Sequence, residues 1–365
     1  MNRQKIRKSI KVTFKRVSTG YKRYFIGRDW RRFAEQYTKE KSLSPEQKQA
    51  VLERYRPYKK VSCVFHEYYT EKTGRFCVNY MPDDLYYNYI DRFYNDWDMA
   101  TIFDNKCYYT SFFRGVKHPG TVALRINGMW FNSNRELINR DELFSKLLQE
   151  PEIFIKKATE SDGGHGVFYL DADGIRQKAM DIVLKMNGDL IIQQPIRQHE
   201  KLGRFNDKSV NSIRILTLLT EEGVKVYSCL LRMGMNGARV DNSSSGGVSC
   251  GIDENGRLKR YSYTNFGDRF EKHPGTDIEY LGYEVPGFSH VMEVAKELAC
   301  QMPYFRLVSW DFAVDIDGDP VLIEANLKYG GMDFHQLNNG PLFGDDADKI
   351  LAEVFSKQKM SMEIQ

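Results

Sequence analysis

Apolar positions along the chain follow two periods: steps of three and four mark helices, and strict alternation marks strands. Ser44-Pro45-Glu46-Gln47 opens a helix, with Ser as N-cap, Pro at the first position and Gln three residues on. From Val61 to Trp97 tyrosines and phenylalanines crowd together with no chemically suggestive spacing, and read as packing. Thr121–Arg125 and Gly128–Phe131 form a hairpin about Asn127-Gly128. Leu143, Leu147 and Leu148 mark one face of a helix over 141–150. The β-runs Glu152–Ala158 and Phe168–Leu170 flank a glycine-rich loop, and a helix from about Gly174 to Met186 leads into the run Asp189–Pro195. Strands follow at Ser209–Thr217 and from Val224 to Leu231, and then a helix over 288–302 with Val291, Ala295, Leu298 and Met302 turned inward. The last clear element is a hairpin over 309–326 about Asp317-Gly318.

The 365 residues suffice to bury a sizeable core and to divide into two or three lobes. With 53 basic and 49 acidic residues the net charge is only +4, which forces no nucleic-acid partner. No run of apolar residues is long enough to span a membrane, and the basic N-terminus lacks the apolar core of a signal peptide. Residues 1–32 carry a dozen Lys and Arg interleaved with aromatics. Such an arm suits peripheral contact with anionic lipid headgroups, a glycolipid or another phosphate-bearing partner; the favoured reading is a solvated helix that packs its rings on the body. The six scattered cysteines show neither Cys-x-x-Cys nor His-Cys spacing. That argues for a reducing cytoplasm and against zinc or a disulfide framework.

The chemistry concentrates in the 309–326 hairpin. With Asp317 and Gly318 at the centre of its turn, Phe312 pairs with Ile323 and Val314 with Val321, while Asp311 falls opposite Glu324 with Asn326 beside it. Directly opposite residues have Cβ atoms roughly 4.5–5.5 Å apart, and like charges there repel. A hard cation reverses the repulsion, and two carboxylates with an amide carbonyl are oxygen ligands of the kind Mg²⁺ prefers. A solvated hairpin with acids on its wet face has the same pattern. The loop Ser161-Asp-Gly-Gly-His-Gly-Val167 lets backbone N–H groups approach a phosphate, and a lysine just ahead supplies a point charge. It is neither a Walker A motif nor a dinucleotide fingerprint, and an ordinary glycine-rich hairpin reads alike. Arg214 and Arg232 interrupt apolar strands, an expensive placement unless each meets an anion.

Asp311 followed by Glu324-Ala325-Asn326 resembles the metal-binding strand pair of ATP-grasp enzymes. Together with the lysine and glycine loop, in this order, it makes residues 100 to 345 similar to the sugar-transfer-associated ATP-grasp family. The resemblance implies an α/β (α+β) ATP-grasp fold: a helical, aromatic-rich lobe over 1–100, a lid subdomain over 101–195 and a large antiparallel-sheet subdomain over 196–365. It implies ATP held between lid and sheet by Lys157, by Gly163, Gly164, His165 and Gly166, and by a hinge of Gln193, Gln194, Pro195 and Ile196. Ile192 would help to line that hinge, and Glu200 would reach the ribose. Lys157-Ala158 stands where the family typically has Lys-Pro, which favours Lys157 over Lys156; the missing proline and His165 are departures. Arg214, Arg232 and Asn242 would serve the transferred phosphate, and Asp311, Glu324 and Asn326 would hold Mg²⁺.

The implied reaction joins a small-molecule or sugar-linked carboxylate to an amine acceptor (or thiol) through an acyl phosphate, in polysaccharide or glycoconjugate biosynthesis. The implied setting is the cytoplasm, at the inner face of the membrane if the arm binds lipid. A kinase on the same fold would keep the metal and nucleotide residues and transfer phosphate to a hydroxyl, whereas a nucleotide-binding module without catalysis would need to lose ligands, and Asp311, Glu324 and Asn326 are all present. His335 either lines the acceptor side or is a structural loop histidine.

Overall fold

The computed structural model describes residues 27–40, 43–159, 166–235, 237 and 246–363, with 357–363 as backbone only. Gly163, Gly164, His165 and Asn242, and residues 1–26 of the basic arm, lie outside the described residues. The described residues form two compact units, one from within 1–94 and 340–365 and the other from within 95–339. The expected three-lobe division took 196–365 as one piece; here the C-terminal segment groups with the N-terminal one.

The first unit is helical and is packed by rings. Its helix α1 (Pro45–Tyr55) carries the capping box read from Ser44 and Gln47, and α2 (Val64–Thr73) follows. Tyr55, Phe65, Tyr69, Tyr86 and Tyr87 are fully enclosed. Trp30 stacks on Tyr87 at 4.6 Å and Tyr69 on Tyr80 at 5.0 Å, so the aromatic run serves the core.

The second unit is built on two antiparallel sheets. The smaller comprises β1 (Thr121–Ile126), β2 (Met129–Asn132), β3 (Leu137–Ile138), β4 (Glu152–Lys157), β5 (Val167–Asp171) and β6 (Leu190–Gln193), in the order β3-β2-β1-β6-β4-β5. Asn127 and Gly128, at φ 49° and 80°, make the turn between β1 and β2, as an Asn-Gly pair favours. Helices α3 (Arg140–Leu147) and α4 (Ala172–Lys185) cover one face, where Leu143, Leu147, Ile175 and Ala179 meet Ile153, Ile155 and Ile192. Because α3 ends at Leu147, Leu148 falls on the cap and is exposed instead of joining that face.

The larger sheet comprises β7 (Ser212–Thr220), β8 (Gly223–Met233), β9 (Val248–Ile252), β10 (Leu258–Thr264), β11 (Arg269–Phe270), β12 (Leu307–Val314) and β13 (Pro320–Asn326). Their order is β11-β10-β9-β8-β7-β12-β13. Helix α5 (Phe288–Gln301) packs Val291, Ala295 and Leu298 into a core with Ile213, Ile215 and Phe312. Among the described residues no helix is long and apolar enough to cross a membrane.

The β12–β13 hairpin departs from the expected pairing and still reaches the expected end. Its loop takes five residues, 315–319, not two: Asp315 Oδ1 accepts from the N–H groups of Asp317 and Asp319, and Gly318 sits at φ 88°. Phe312 therefore pairs with Leu322, and Val314 with Pro320. A bulge then takes up Ile323, and the next rung pairs Asp311 with Glu324 and, two further on, Ser309 with Asn326. The two shifts cancel where the acidic pair stands.

Candidate active site

Asp311 stands on a strand with neighbours on both sides, opposite Glu324 on β13 and opposite Arg214 on β7. It is 2% exposed. Arg214 grips it through two bonds, Nε to Oδ1 and Nη2 to Oδ2, both 2.7 Å. Arg232 Nη1 reaches Oδ2 at 3.1 Å, and Asn326 Nδ2 at 3.4 Å. Burial alone would raise the Asp311 pKa; Arg214, then Arg232 and Asn326, outweigh it and hold the carboxyl below its usual range. The anion that the two strand arginines require is thus supplied by the chain itself.

Glu324 is one-third exposed and accepts a 2.6 Å bond from Lys106 Nζ. Burial works against the charge of Lys106, but Glu324, Tyr109 and Asp104 together hold its ammonium above the usual lysine range. Asp104 pairs with Lys328 at 3.4 Å, and burial pushes its carboxyl up to about 6. The expected repulsion between Asp311 and Glu324 is therefore relieved by protein cations on each side.

A cleft of about 360 Å³ opens between the small sheet and β13, lined among others by Lys106, Leu124, Arg135, Ile191, Gln193 and the bulged Ile323. Neither Lys156 nor Lys157 is among its lining, but pairing fixes which of them shares its side of the sheet. Lys156 lies opposite Ile191 and Phe154 opposite Gln193, so Lys156 shares the cleft face and its Nζ reaches Gln193 Oε1 at 3.2 Å. Lys157 pairs with Leu190, which belongs to the helix-covered core, and its stem lies against Gly166. Ile192 also points into that core, so Ile191 and not Ile192 borders the cleft. Gln194 departs from the hinge expectation, since its N–H donates to Gly120 O at 2.7 Å and its side chain to Glu150. Gln194, Pro195, Ile196 and Glu200 are not among the cleft's lining, and Glu200 is exposed at the start of the short helix Glu200–Gly203.

The oxygen set fits Mg²⁺ in part. Glu324 is accessible, and Asn326 uses its Nδ2 on Ser309 O (3.0 Å) and Asp311, which keeps its carbonyl oxygen for a hard cation. Asp311 does not fit as arranged: four donors reach its two oxygens, about as many as a carboxylate accepts. Among the described residues no group of three or more His, Cys, Asp and Glu is placed to hold a metal. His335 lies on the helix α6 (Met332–Asn339), fully buried, and not in a loop.

Lys106, Asp104 and Lys328 have no period or motif that singles them out. Their one signal is position: Asp104-Asn105-Lys106 opens the segment that resembles a lid, and Lys328 follows Glu324-Ala325-Asn326 by two residues.

Residues of the two sheets border one cleft, which Lys106 and Arg135 line, and the Asp311–Glu324 rung belongs to the hairpin that contributes Leu322 and Ile323 to it. The sequence matches the sugar-transfer associated ATP-grasp family over residues 86–350, and the chain belongs to that family. No curated protein matches the sequence. Among solved structures it is similar to the D-alanine-D-alanine ligase from Coxiella burnetii, at 11% identity and TM-score 0.40, covering 72% of this chain and 62% of that one. It is also similar to the D-alanine–D-alanine ligase from Bacillus anthracis, at 13% identity and TM-score 0.40, covering 71% and 69%. A third is the ATP-grasp ligase PsnB, complexed with a variant precursor, Mg and ADP, at 12% identity and TM-score 0.43, covering 72% and 61%. The chain thus spans about six tenths of the Coxiella and PsnB proteins.

Proposed function

We propose that the protein is an ATP- and Mg²⁺-dependent ligase that joins a carboxylate to an amine through an acyl phosphate, in glycoconjugate or polysaccharide synthesis. The observation that carries the reading is the Asp311 rung, where two arginines converge on Asp311 and its partner Glu324 binds Lys106, a residue that lines the cleft. In this reading a substrate carboxylate attacks the γ-phosphorus and ADP leaves. The amine then attacks the acyl carbon, loses a proton and expels phosphate. Phosphoryl transfer of this kind needs positioning and charge stabilisation more than covalent help.

Arg214 and Arg232, held rigid by Asp311, stabilise negative charge on the transferring group. Lys156, on the cleft face, serves the nucleotide phosphates in place of Lys157. Lys106 is a second cation for the same phosphates once it leaves Glu324. Glu324 and Asn326 would hold Mg²⁺, which neutralises phosphate charge when bound.

Release of ADP is measured across a panel of small and sugar-linked carboxylic acids and amines, with hydroxylamine then replacing the amine. A hydroxamate with matching ADP and phosphate is expected. A stable phosphomonoester with no free phosphate, found with the true substrate, overturns the ligase reading in favour of a kinase.

A further inference from the structure

Helix α6 is placed by polar contacts. Asp333, His335, Gln336 and Asn338 are all buried on it. Three strands meet it with serines: Ser309 on β12, Ser228 on β8 and Ser249 on β9. His335 bridges Ser309 (Nε2, 3.1 Å) and Ser228 (Nδ1, 2.7 Å). Asn338 Nδ2 donates to Ser249 Oγ at 2.8 Å, and Asn339 Nδ2 to Ser228 Oγ at 2.7 Å. The helix end lies so close to β9 that a Cβ on Gly251 would stand 2.9 Å from Asn338 O.

The proton positions in this chain follow from its ends. Ser309 Oγ donates to Gly330 O at 2.7 Å, so its lone pairs accept, and His335 Nε2 must carry the proton. Nδ1 is then the acceptor, and Ser228 donates to it while accepting from Asn339. At the other end of the chain is the turn that precedes α6. Gly331 sits at φ 70°, and a Cβ there would stand 2.9 Å from Arg214 Nη1. Both ring nitrogens of His335 are thus engaged, and a buried hydrogen-bond chain of this kind fixes geometry more sharply than apolar contact does.

We propose that His335 is a positioning residue. Held as the Nε2–H tautomer between Ser228 and Ser309, it sets the Gly330–Gly331 turn against Arg214, and so sets the guanidinium that faces the transferring phosphate. Burial and the charge of Arg214 support this by keeping the imidazole neutral, its pKa pushed down to about 3. The inference rests on the reading of Arg214 as the γ-phosphate residue.

The experiment compares calorimetric affinities for Mg·ADP and a non-hydrolysable Mg·ATP analogue in the full chain, beside thermal unfolding. Arg214→Lys should lower the ratio of analogue to ADP affinity; if it leaves the ratio unchanged, the reading of Arg214 fails, not the positioning. Given an Arg214 effect, His335→Phe and the gentler Ser309→Ala should lower the same ratio roughly tenfold and severalfold, with ADP affinity kept. His335→Gln, whose amide can donate at the Nε2 position, should restore part of it. Folded His335→Phe and Ser309→Ala proteins with a lowered Tm and an unchanged ratio would overturn the proposal. If His335→Phe does not fold, Ser309→Ala decides alone. In the wild type, ¹⁵N NMR should show an Nε2–H imidazole, and an Nδ1–H tautomer would overturn it as well.

Discussion

Asp311 and Glu324 share one rung of the β12–β13 ladder, yet they belong to different environments. Asp311 is sealed on an inner strand and carries Arg214 and Arg232; Glu324 is on the edge strand and carries Lys106. Two carboxylates that look equivalent as a facing pair are thus divided into a buried ion cluster and an accessible ion pair. The arginine side is a rigid scaffold, because a planar guanidinium gripping a carboxylate through two bonds has little freedom left. The lysine side is a single ammonium–carboxylate bond, which the proposed reading makes exchangeable for an incoming cation and phosphate.

Asp311→Asn tests the scaffold and should have the largest effect. It leaves two buried guanidinium groups without their anion, a loss of about 3–5 kcal/mol in unfolding free energy. The folded-state pKa of Asp311 is depressed, so its stabilisation is present above the ordinary carboxylate pKa and is lost as pH falls through the folded value. Urea titrations should therefore show the deficit at neutral pH and a smaller one below about pH 4. A deficit under about 1 kcal/mol at pH 7 would place Asp311 with exposed pairs and end the contrast.

Asp333 sharpens the comparison from inside the arginine side. It is as buried as Asp311, but among the described residues its carboxylate accepts from its own N–H and that of Phe334, with Arg214 acting from farther off; burial pushes it up to about 6. The sign is opposite to that of Asp311. Its contribution is fully present below the unfolded pKa and is lost as pH rises through about 6. Asp104, also pushed up to about 6, acts in the same window on the lysine side. Asp333→Asn should remove up to about 3 kcal/mol of the fall in stability between about pH 4 and 7. An unchanged slope in Asp333→Asn and a flattened one in Asp104→Asn would assign the whole effect to the lysine side.

On the cleft face, Lys156→Ala should weaken binding of a non-hydrolysable ATP analogue by about 1.5–3 kcal/mol, the scale of hydrogen bonds to charged groups. Lys157→Ala should stay within about 0.5 kcal/mol, as a surface substitution does. The reverse ranking, measured calorimetrically, would put the phosphate on the helix side of β4.

These residues also show how far sequence reading reaches. The alternation of β12 and β13 was enough to put Asp311 opposite Glu324, although the intervening pairs were off by one. A five-residue loop held by Asp315 and a bulge at Ile323 displace the register in opposite senses, and neither leaves a periodic trace. The choice between Lys156 and Lys157 turns on parity. In a strand neighbours face opposite ways, and only pairing with Ile191 and Leu190 shows which of them is on the side of the sheet that borders the cleft. Lys106 was invisible as a partner because 218 residues separate it from Glu324. Helix α6 is opaque for another reason: Asp333, His335, Gln336 and Asn338 are buried beside only Met332 and Leu337, too few apolar positions for hydrophobic periodicity to announce it.

The smallest stability effect belongs to Glu324→Gln. Its carboxylate is partly solvated and Lys106 keeps Asp104 and Tyr109 nearby, so unfolding free energy should move by no more than about 1 kcal/mol. Mg²⁺ binding in the presence of ADP should fall by roughly tenfold or more, about 1.4 kcal/mol, because an amide replaces an anionic ligand. Lys106→Met should act in the opposite sense on the metal. Without the ammonium, Glu324 no longer has to give up a 2.6 Å partner, so Mg²⁺ alone should bind more tightly while nucleotide binds more weakly. Opposite shifts in the two variants, read by calorimetry with Mg²⁺ titrated first without and then with ADP, are what an exchangeable pair demands. Equal losses in both would mean that Lys106 and Glu324 form a fixed structural bridge, and the two sides of the rung would then be alike after all.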